Sequence, residues 1–572
     1  MFERDGQQQQ IYNNHKNQLI SIDVDLSGKY AATGEYGENP EVHIWDARTA
    51  KYVTSFKDIH RRGITSLSFS TNGEYLITVG QDEMNSIVVL RSNSKQWMDG
   101  YIMSSTSISS NKMFWSIYSE NNNYPVVVGG NECVYFFKCN GKTLERKKGI
   151  FGKRRKVQPV LCGVEGKATG GELERSIVTG TLTGHIYLWK NEKVDMTVTA
   201  HDAPIYSITY VRQGYVTGGK DGLVKIWSEQ LKLLHTYNTM LFFPQPNVNA
   251  IHSIKGNMVS SRLLVGMRGG EVYEVSLSTH SYMMLIEGHS SGELHGLAVN
   301  PVDHDEYATV GDDGIMRVWS ISRKTCLRRL AIDTAARAIA WTPDAKKIVI
   351  GIGGDPDMAT KDGAIIYIDS SSLEVLGEQR KAKQWITDIK FTPKGDIMAV
   401  ASNDGKVYLH AAVDFNFLAT LENPSRNISV LRVDFSEDSV YLRAATVNLD
   451  LLHFKVADGT IIDVGTNVRD VIWATTTCPY TWLTHGSVRP NDEGINVLSA
   501  NVNSSKNLVA VGYQNGDVRI YRYPCCSPEA NFIKITCVAS QSNRLLFSED
   551  NRHLLILDTF TRAIVTYKIA SF

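Results

Sequence analysis

A short signature of apolar, small and polar positions recurs along this chain, most clearly in "GYVTGGKDGLVKIW" from Gly214 to Trp227. An apolar run leads into small or hydroxyl residues, a polar Gly-containing turn follows, and a second run alternates apolar with polar. Alternation with a period of two marks a strand with one buried face, and a Gly/Asp turn between two such runs marks a hairpin. The signature returns in "EYATVGDDGIMRVW" ending at Trp319, "SIVTGTLTGHIYLW" at Trp189 and "YAATGEYGENPEVHIW" at Trp45. Weaker copies keep the alternation without the Trp and end at Leu90, Phe137, Val275, Ile368, His410, Phe454, Tyr521 and Tyr567.

These twelve endings stand mostly about 38 to 52 residues apart, close to the ~40–45 of WD repeats. Each unit predicts a four-stranded antiparallel sheet that cannot cover both of its faces alone and stacks on its neighbours around an axis. The predicted fold is therefore all-β: tandem WD-repeat β-propellers of about twelve units plus one atypical element. Rings of this kind close at about four to eight blades, so twelve units require two rings. "EGHSSGELHGLAVNP", opening at Glu287, sets the predicted division into a short polar segment 1–15, a first propeller 16–286 and a second 287–572. The interval from Phe454 to Tyr521 is roughly twenty residues longer than its neighbours. It holds Trp473, Cys478, Tyr480 and Trp482, and an idle loop is usually polar. The reading is an irregular blade near 459–492, or a plug between rings.

Composition narrows the chemistry. With 42% hydrophobic residues in 572 the chain is globular rather than disordered. Sixty Lys plus Arg balance sixty Asp plus Glu, which argues against binding to nucleic acid or membrane through overall charge. The N-terminus lacks a basic stretch followed by an apolar one, and no segment nears the ~18 apolar residues of a membrane span. No membrane partner is expected. The eight cysteines (Cys133, Cys139, Cys162, Cys326, Cys478, Cys525, Cys526, Cys537) show no CxxC or framework spacing and read as small hydrophobes of a reducing compartment. No P-loop, HExxH, GxSxG or zinc spacing occurs, and "GIGGDPD" from Gly351 is not followed by a helical pattern that would hold a phosphate. Neither an enzyme activity nor a cofactor or metal is expected.

His201, Thr217, Asp221 and Trp227 resemble a catalytic set. His289, Thr309, Asp312 (or Asp313) and Trp319 repeat it at nearly the same spacing. An active site has no reason to occur twice, so both sets are read as hydrogen-bonded staples that satisfy buried polar groups. A basic run stands apart: Arg146, Lys147, Lys148, Lys153, Arg154, Arg155 and Lys156. It is placed on a connection between sheets, as either a solvated loop or a patch aimed at an acidic surface within a Debye length of ~8 Å. Phe151 beside it offers a base-stacking face, although nucleic acid is disfavoured because no further aromatics are interleaved.

"RKKGIFGK", "EGHSSGELHGLAVNP", "TNVRDVIWATTTC" and "NDEGINVLSA" leading to "GDVRIYRYPC", in that order, resemble the echinoderm microtubule-associated protein-like family from about Lys16 to the C-terminus. The resemblance implies tandem propellers in which one blade is replaced by a non-WD subdomain, to which Trp473 and Cys478 would belong. It also implies binding of α/β-tubulin or the microtubule lattice through the concave face. Other microtubule-associated or axonemal proteins would be further partners, on cytoplasmic microtubules or in a cilium or flagellum. The chain departs from the family in two places. About fifteen mostly polar residues precede Lys16 where the family carries a hydrophobic motif and a coiled coil, and "YTWLTHGSVRP" stands in place of an "FGVWPEG"-like sequence. These departures predict a monomer with a differently built atypical blade. The alternative is a general WD-repeat scaffold for protein complexes without tubulin contact. A third, weaker reading is an RNA-binding propeller that uses the basic run.

Overall fold

The computed structural model describes residues 12, 14–120, 123–152, 156–166, 176–239, 250–257, 261–423, 428–488, 496–536 and 541–569. Among the described residues there are twelve antiparallel sheets, ten of four strands and two of three, each a meander in chain order. Numbered along the chain, sheets 1–6 lie in one compact unit, Met1–Glu287, and sheets 7–12 in a second, Gly288–Phe572. The alternating runs are the third strands, for example Val42–Asp46 with Trp45, Leu223–Trp227, and Ile564–Lys568 with Tyr567.

Within each unit the first strand of a sheet packs along the first strand of the next, and apolar clusters fill the space between their faces. Ala32 and Ile44 of sheet 1 meet Ile64 and Leu76 of sheet 2. Leu555 and Leu557 of sheet 12 meet Leu294 and Trp319 of sheet 7, which closes the second unit on itself. At the centre of that unit Arg544, on the first strand of sheet 12, donates to Asp388 on the first strand of sheet 9 at 2.9 Å. A bulge recurs near the start of the first strands, as at Leu19/Ser21, Ile64/Ser66, Ile205/Ser207 and Ile386/Asp388. Such bulges sharpen strand twist and bend the strand locally.

The long interval after Phe454 does pack, inside the second unit. Sheet 10 ends with Leu451–Lys455, and residues 460–462 only partly pair with it, through Thr460 O to Lys455 N–H and Ile462 N–H to His453 O. Residues 463–488 then contain two 3-10 turns, Gly465–Val468 and His485–Ser487. A single bridge ties Trp473 to Ser436 at the end of the first strand of sheet 10, and Cys525 N–H, on the connection between the third and fourth strands of sheet 11, donates to Leu483 O. The segment is thus a wedge between sheets 10 and 11. The glycine loop at Gly351 differs from expectation, because a six-residue 3-10 helix, Pro356–Lys361, does follow it. That is too short to present a phosphate site. No helix among the described residues is long and apolar enough to cross a membrane.

One buried acid gives a pH-dependent expectation. Glu165 accepts from Ser119 Oγ at 2.5 Å and Glu120 N–H at 3.1 Å. Burial pushes its carboxyl from the ordinary 4.5 up to about 7, against the lowering effect of the Ser119 hydrogen bond. A raised folded value means the native state binds the proton more tightly than the unfolded chain does. Its contribution is therefore fully present below about 4.5 and is lost as pH climbs to about 7. Glu165→Gln is expected to stabilise the protein by roughly 1–3 kcal/mol at pH 8 and by little at pH 4, read by thermal melts at both pH values.

Candidate functional site

The structure brings both predicted polar sets together inside single sheets. Trp227 Nε1 donates to Thr217 Oγ1 at 2.9 Å, Thr217 Oγ1 meets His201 Nε2 at 2.8 Å, and His201 Nδ1 lies 2.9 Å from Asp221. In sheet 7 Trp319 Nε1 donates to Thr309 at 2.8 Å and His289 Nε2 meets Thr309 at 2.8 Å. The acid there is Asp313, 3.0 Å from His289 Nδ1, and not Asp312. Asp312 sits on the opposite side of the turn, 3.3 Å from His295 and 3.4 Å from Arg337. Arg317, fully buried, donates to Asp313 at 2.8 Å. Burial alone would raise the Asp313 carboxyl, but His289 and Arg317 hold it well below the usual range.

Two further staples escaped the sequence reading. His15 bonds Glu35 at 2.8 Å and Thr33 at 2.6 Å, with Trp45 Nε1 donating to Thr33 at 3.1 Å. The segment read as a polar N-terminal extension therefore contributes to sheet 1, where Tyr12 also stacks on Trp45. His60 bonds Thr78 at 2.8 Å and Ser86 at 2.6 Å. Because the third strand of sheet 2, Ser86–Asn93, carries Leu90 where the other staples have Trp, the pattern is hard to see. Among the described residues, two clusters bring His and carboxylate atoms close enough to share an ion: His15–Glu35–His43 and Glu293–His295–Asp312. In the first the ring nitrogens of His15 are taken by Glu35 and Thr33, and those of His43 by Tyr12 and Glu41. In the second Arg337 stands against the carboxylate. Neither is assigned a metal.

The basic run is divided. Arg146, Lys147 and Lys148 lie on the outermost strand of sheet 3, Thr143–Lys148, and not on a connection. Arg146 donates to Ile108 O and covers the Tyr135 ring. Lys147 pairs with Glu192 at 2.6 Å and bonds Tyr124 at 3.2 Å. Lys148 and Lys156 are exposed, and Lys153, Arg154 and Arg155 lie outside the described residues. Phe151 is buried against Trp189 and Tyr187, so it has no face to offer a base. Four cysteines are buried, Cys139 and Cys326 half-buried and Cys526 exposed, all as free thiols. Cys537 lies outside the described residues.

The atypical wedge is held by a buried ionic hub that the sequence did not signal. Asp434 of sheet 10 accepts from Thr475 Oγ1 at 2.6 Å, Thr477 N–H at 2.9 Å and Cys478 N–H at 3.0 Å. Arg443 lies 3.0 Å from the same carboxylate and 4.3 Å over the Trp473 ring. Burial would raise Asp434, and Arg443 with these donors lowers it overall. Cys478 is buried, with its thiol pushed up by burial. Tyr480 donates to Val497 O at 3.1 Å and so reaches sheet 11. Trp482 instead stands exposed at the rim of an open hollow of about 560 Å³ that Leu451, His453, Tyr480 and Val488 also line. Burial, helped by Arg443, brings His453 down to about 4 and keeps it neutral there.

Comparison with known proteins agrees with this two-unit architecture. The sequence profile described as "Echinoderm microtubule-associated protein first beta-propeller" matches residues 8–275, and that of the "second beta-propeller" matches 294–569. "Ciliary WD repeat-containing protein ctxp80" of Euplotoides octocarinatus is 22% identical, over 97% of this chain and 76% of its own length. "Echinoderm microtubule-associated protein-like 2" of Rattus norvegicus is 22% identical over 100% of this chain and 86% of its own. The "77 kDa echinoderm microtubule-associated protein" of Strongylocentrotus purpuratus is 23% identical over 97% and 79%. With its two compact units in the order of the two profiles, and relatives matched over nearly its whole length, the chain belongs to the echinoderm microtubule-associated protein-like family.

Proposed function

We propose that the chain is a non-catalytic microtubule-associated protein whose propellers dock on α/β-tubulin, on cytoplasmic microtubules or within an axoneme. The observation that carries this reading is the match of both propeller profiles across nearly the whole chain, together with relatives named for microtubules and for a cilium. The polar sets that imitate catalysis support it, because their hydrogen-bonding capacity is spent inside single sheets. Of the basic run, Arg146, Lys147, Lys148 and Lys156 are all exposed, and Arg146 and Lys147 also make contacts within the fold. The acidic tubulin surface would meet the segment around Lys153 to Lys156 by long-range attraction.

Cosedimentation with purified microtubules tests both parts. The full chain is expected to pellet at low salt. Joint reversal of Lys153, Arg154, Arg155 and Lys156 to Glu is expected to weaken pelleting roughly 10-fold and flatten its salt dependence, with circular dichroism unchanged. Lack of pelleting at low salt would leave the general-scaffold reading in its place. Pelleting that ignores the reversal would remove the basic run from the contact.

A further inference from the structure

The centre of the second unit opens, where its first strands begin, into a cavity of about 370 Å³. Three arginines from three sheets line it: Arg337 of sheet 8, Arg432 of sheet 10 and Arg544 of sheet 12. Among the described residues that line it, none is an aspartate or a glutamate. The nearby carboxylates are held outside. Asp388 accepts from Arg544 at 2.9 Å and from Val433 N–H at 3.1 Å, and it lines a separate cavity of about 390 Å³ toward the other end of the same first strands. Asp312 and Glu293 stand 3.3 and 3.6 Å from His295. Arg337 lies 5.3 Å over the Trp385 ring, and its Nε is buried without a hydrogen-bond partner. Burial, helped by the neighbouring charge of Arg544, brings the Arg432 guanidinium down to about 9.

The repeats supply a control. The bulge near the start of each first strand leaves one residue out of register, and bulges re-aim side chains at the rims of closed sheets. In the second unit His295, Arg337, Thr387, Leu431 and Leu498 hold this position, and all five line the cavity. In the first unit the same position is held by Ile20, Thr65, Phe114, Leu161, Tyr206 and His252. One residue later the second unit has Arg432 and Arg544, whereas the first has only serine, tryptophan or cysteine. The first unit thus builds the same repeat with no arginine at either position, so the guanidiniums are not a requirement of the fold.

We propose that this mouth binds an acidic peptide of a partner protein, with a glutamate carboxylate entering between Arg337, Arg432 and Arg544 and its methylenes lying against Leu431 and Leu498. A guanidinium fork matches a carboxylate in two parallel hydrogen bonds, and arginine clusters recur where acidic motifs are read. The cavity falls within the ~300–1,000 Å³ of ligand pockets. Its aliphatic walls suit the stem of a side chain, which a bare inorganic anion lacks. The Arg337 guanidinium already occupies a face of Trp385, where a nucleotide base would otherwise stack.

Isothermal titration calorimetry of the full chain at low salt, without microtubules, tests the site independently of the microtubule reading. A short polyglutamate peptide is the probe, and polyglutamine of equal length is its control. Polyglutamate is expected to bind one to one, and polyglutamine not to bind. Arg337→Gln, which removes one fork, and Leu431→Glu, which sets a carboxylate in the mouth, are each expected to weaken binding at least about 10-fold with circular dichroism unchanged. Arg337 is partly exposed and Leu431 is 37% exposed, so neither substitution disturbs the buried Arg544–Asp388 pair. Joint reversal of Lys153, Arg154, Arg155 and Lys156 to Glu is expected to leave the affinity unchanged, which separates this mouth from the basic run. Absence of polyglutamate binding, binding that survives both mouth variants, or binding lost on reversal of the basic run would each overturn the proposal. A mouth that takes inorganic phosphate and ignores polyglutamate would overturn it as well.

Discussion

Replacing Asp434 with alanine is expected to lower the unfolding midpoint of the second unit by roughly 6–20 °C, corresponding to about 3–5 kcal/mol. The carboxylate is fully buried and accepts from Thr475, Thr477 and Cys478 while facing Arg443 at 3.0 Å. Its removal leaves a guanidinium buried without its counter-charge and removes the acceptor of four donors in the wedge, Thr475 Oγ1, Thr477 N–H and Oγ1, and Cys478 N–H, and an orphaned buried charge costs far more than a lost surface pair. The damage should also be local. The wedge carrying Trp473 is anchored to sheet 10 through this group, so exposure of Trp473, read by fluorescence, should rise before the rest of the unit melts. Asp434→Asn, which keeps one acceptor oxygen but not the charge, should fall between. Differential scanning calorimetry decides the matter: an unchanged transition would mean that the wedge is held by its aromatic packing alone.

The second large effect separates two adjacent aspartates. Asp313→Ala is expected to cost about 3–4 kcal/mol, because His289 at 3.0 Å and the fully buried Arg317 at 2.8 Å both lose their partner. Asp312→Ala, one residue earlier, is expected to cost less than about 1 kcal/mol. Its partners His295 and Arg337 are partly exposed, at 3.3 and 3.4 Å, and such pairs contribute little. Urea titration of the two variants gives the comparison directly. Equal losses would mean that the two carboxylates share the load and that the staple is less exclusive than its geometry.

These aspartates also show how far local sequence reaches. "GDDG" announces a turn with a capping carboxylate. Successive residues point to opposite sides of the chain, however, and only the turn's register against His289 decides which one faces inward. The basic run has the same limit. Its composition is visible in the sequence, yet Arg146 and Lys147 belong to a strand, where they remain exposed while contacting Ile108, Tyr135, Glu192 and Tyr124. Phe151, which in sequence is merely an aromatic beside lysines, is core because Trp189 of the next sheet lies over it. The staples at His15 and His60 were missed because the first accepts Glu35 in place of Asp, and the second has no Trp on its third strand. Asp434 gave no signal at all, since its partners in the wedge lie some forty residues downstream.

The order and type of the elements were thus determined by sequence alone: twelve alternating third strands, the turns before them, the irregular stretch after Phe454 and the placement of two staples. All of these depend on residues within one repeat, where a period of two and a turn are enough to specify a hairpin. Only the tertiary structure decided which carboxylate closes a staple, where the wedge is anchored and which basic groups also make contacts within the fold. The staple is closed inside one sheet, by the register of a turn against His289; the others are contacts made by residues tens of positions apart, and no local pattern encodes which surfaces meet once the sheets are stacked.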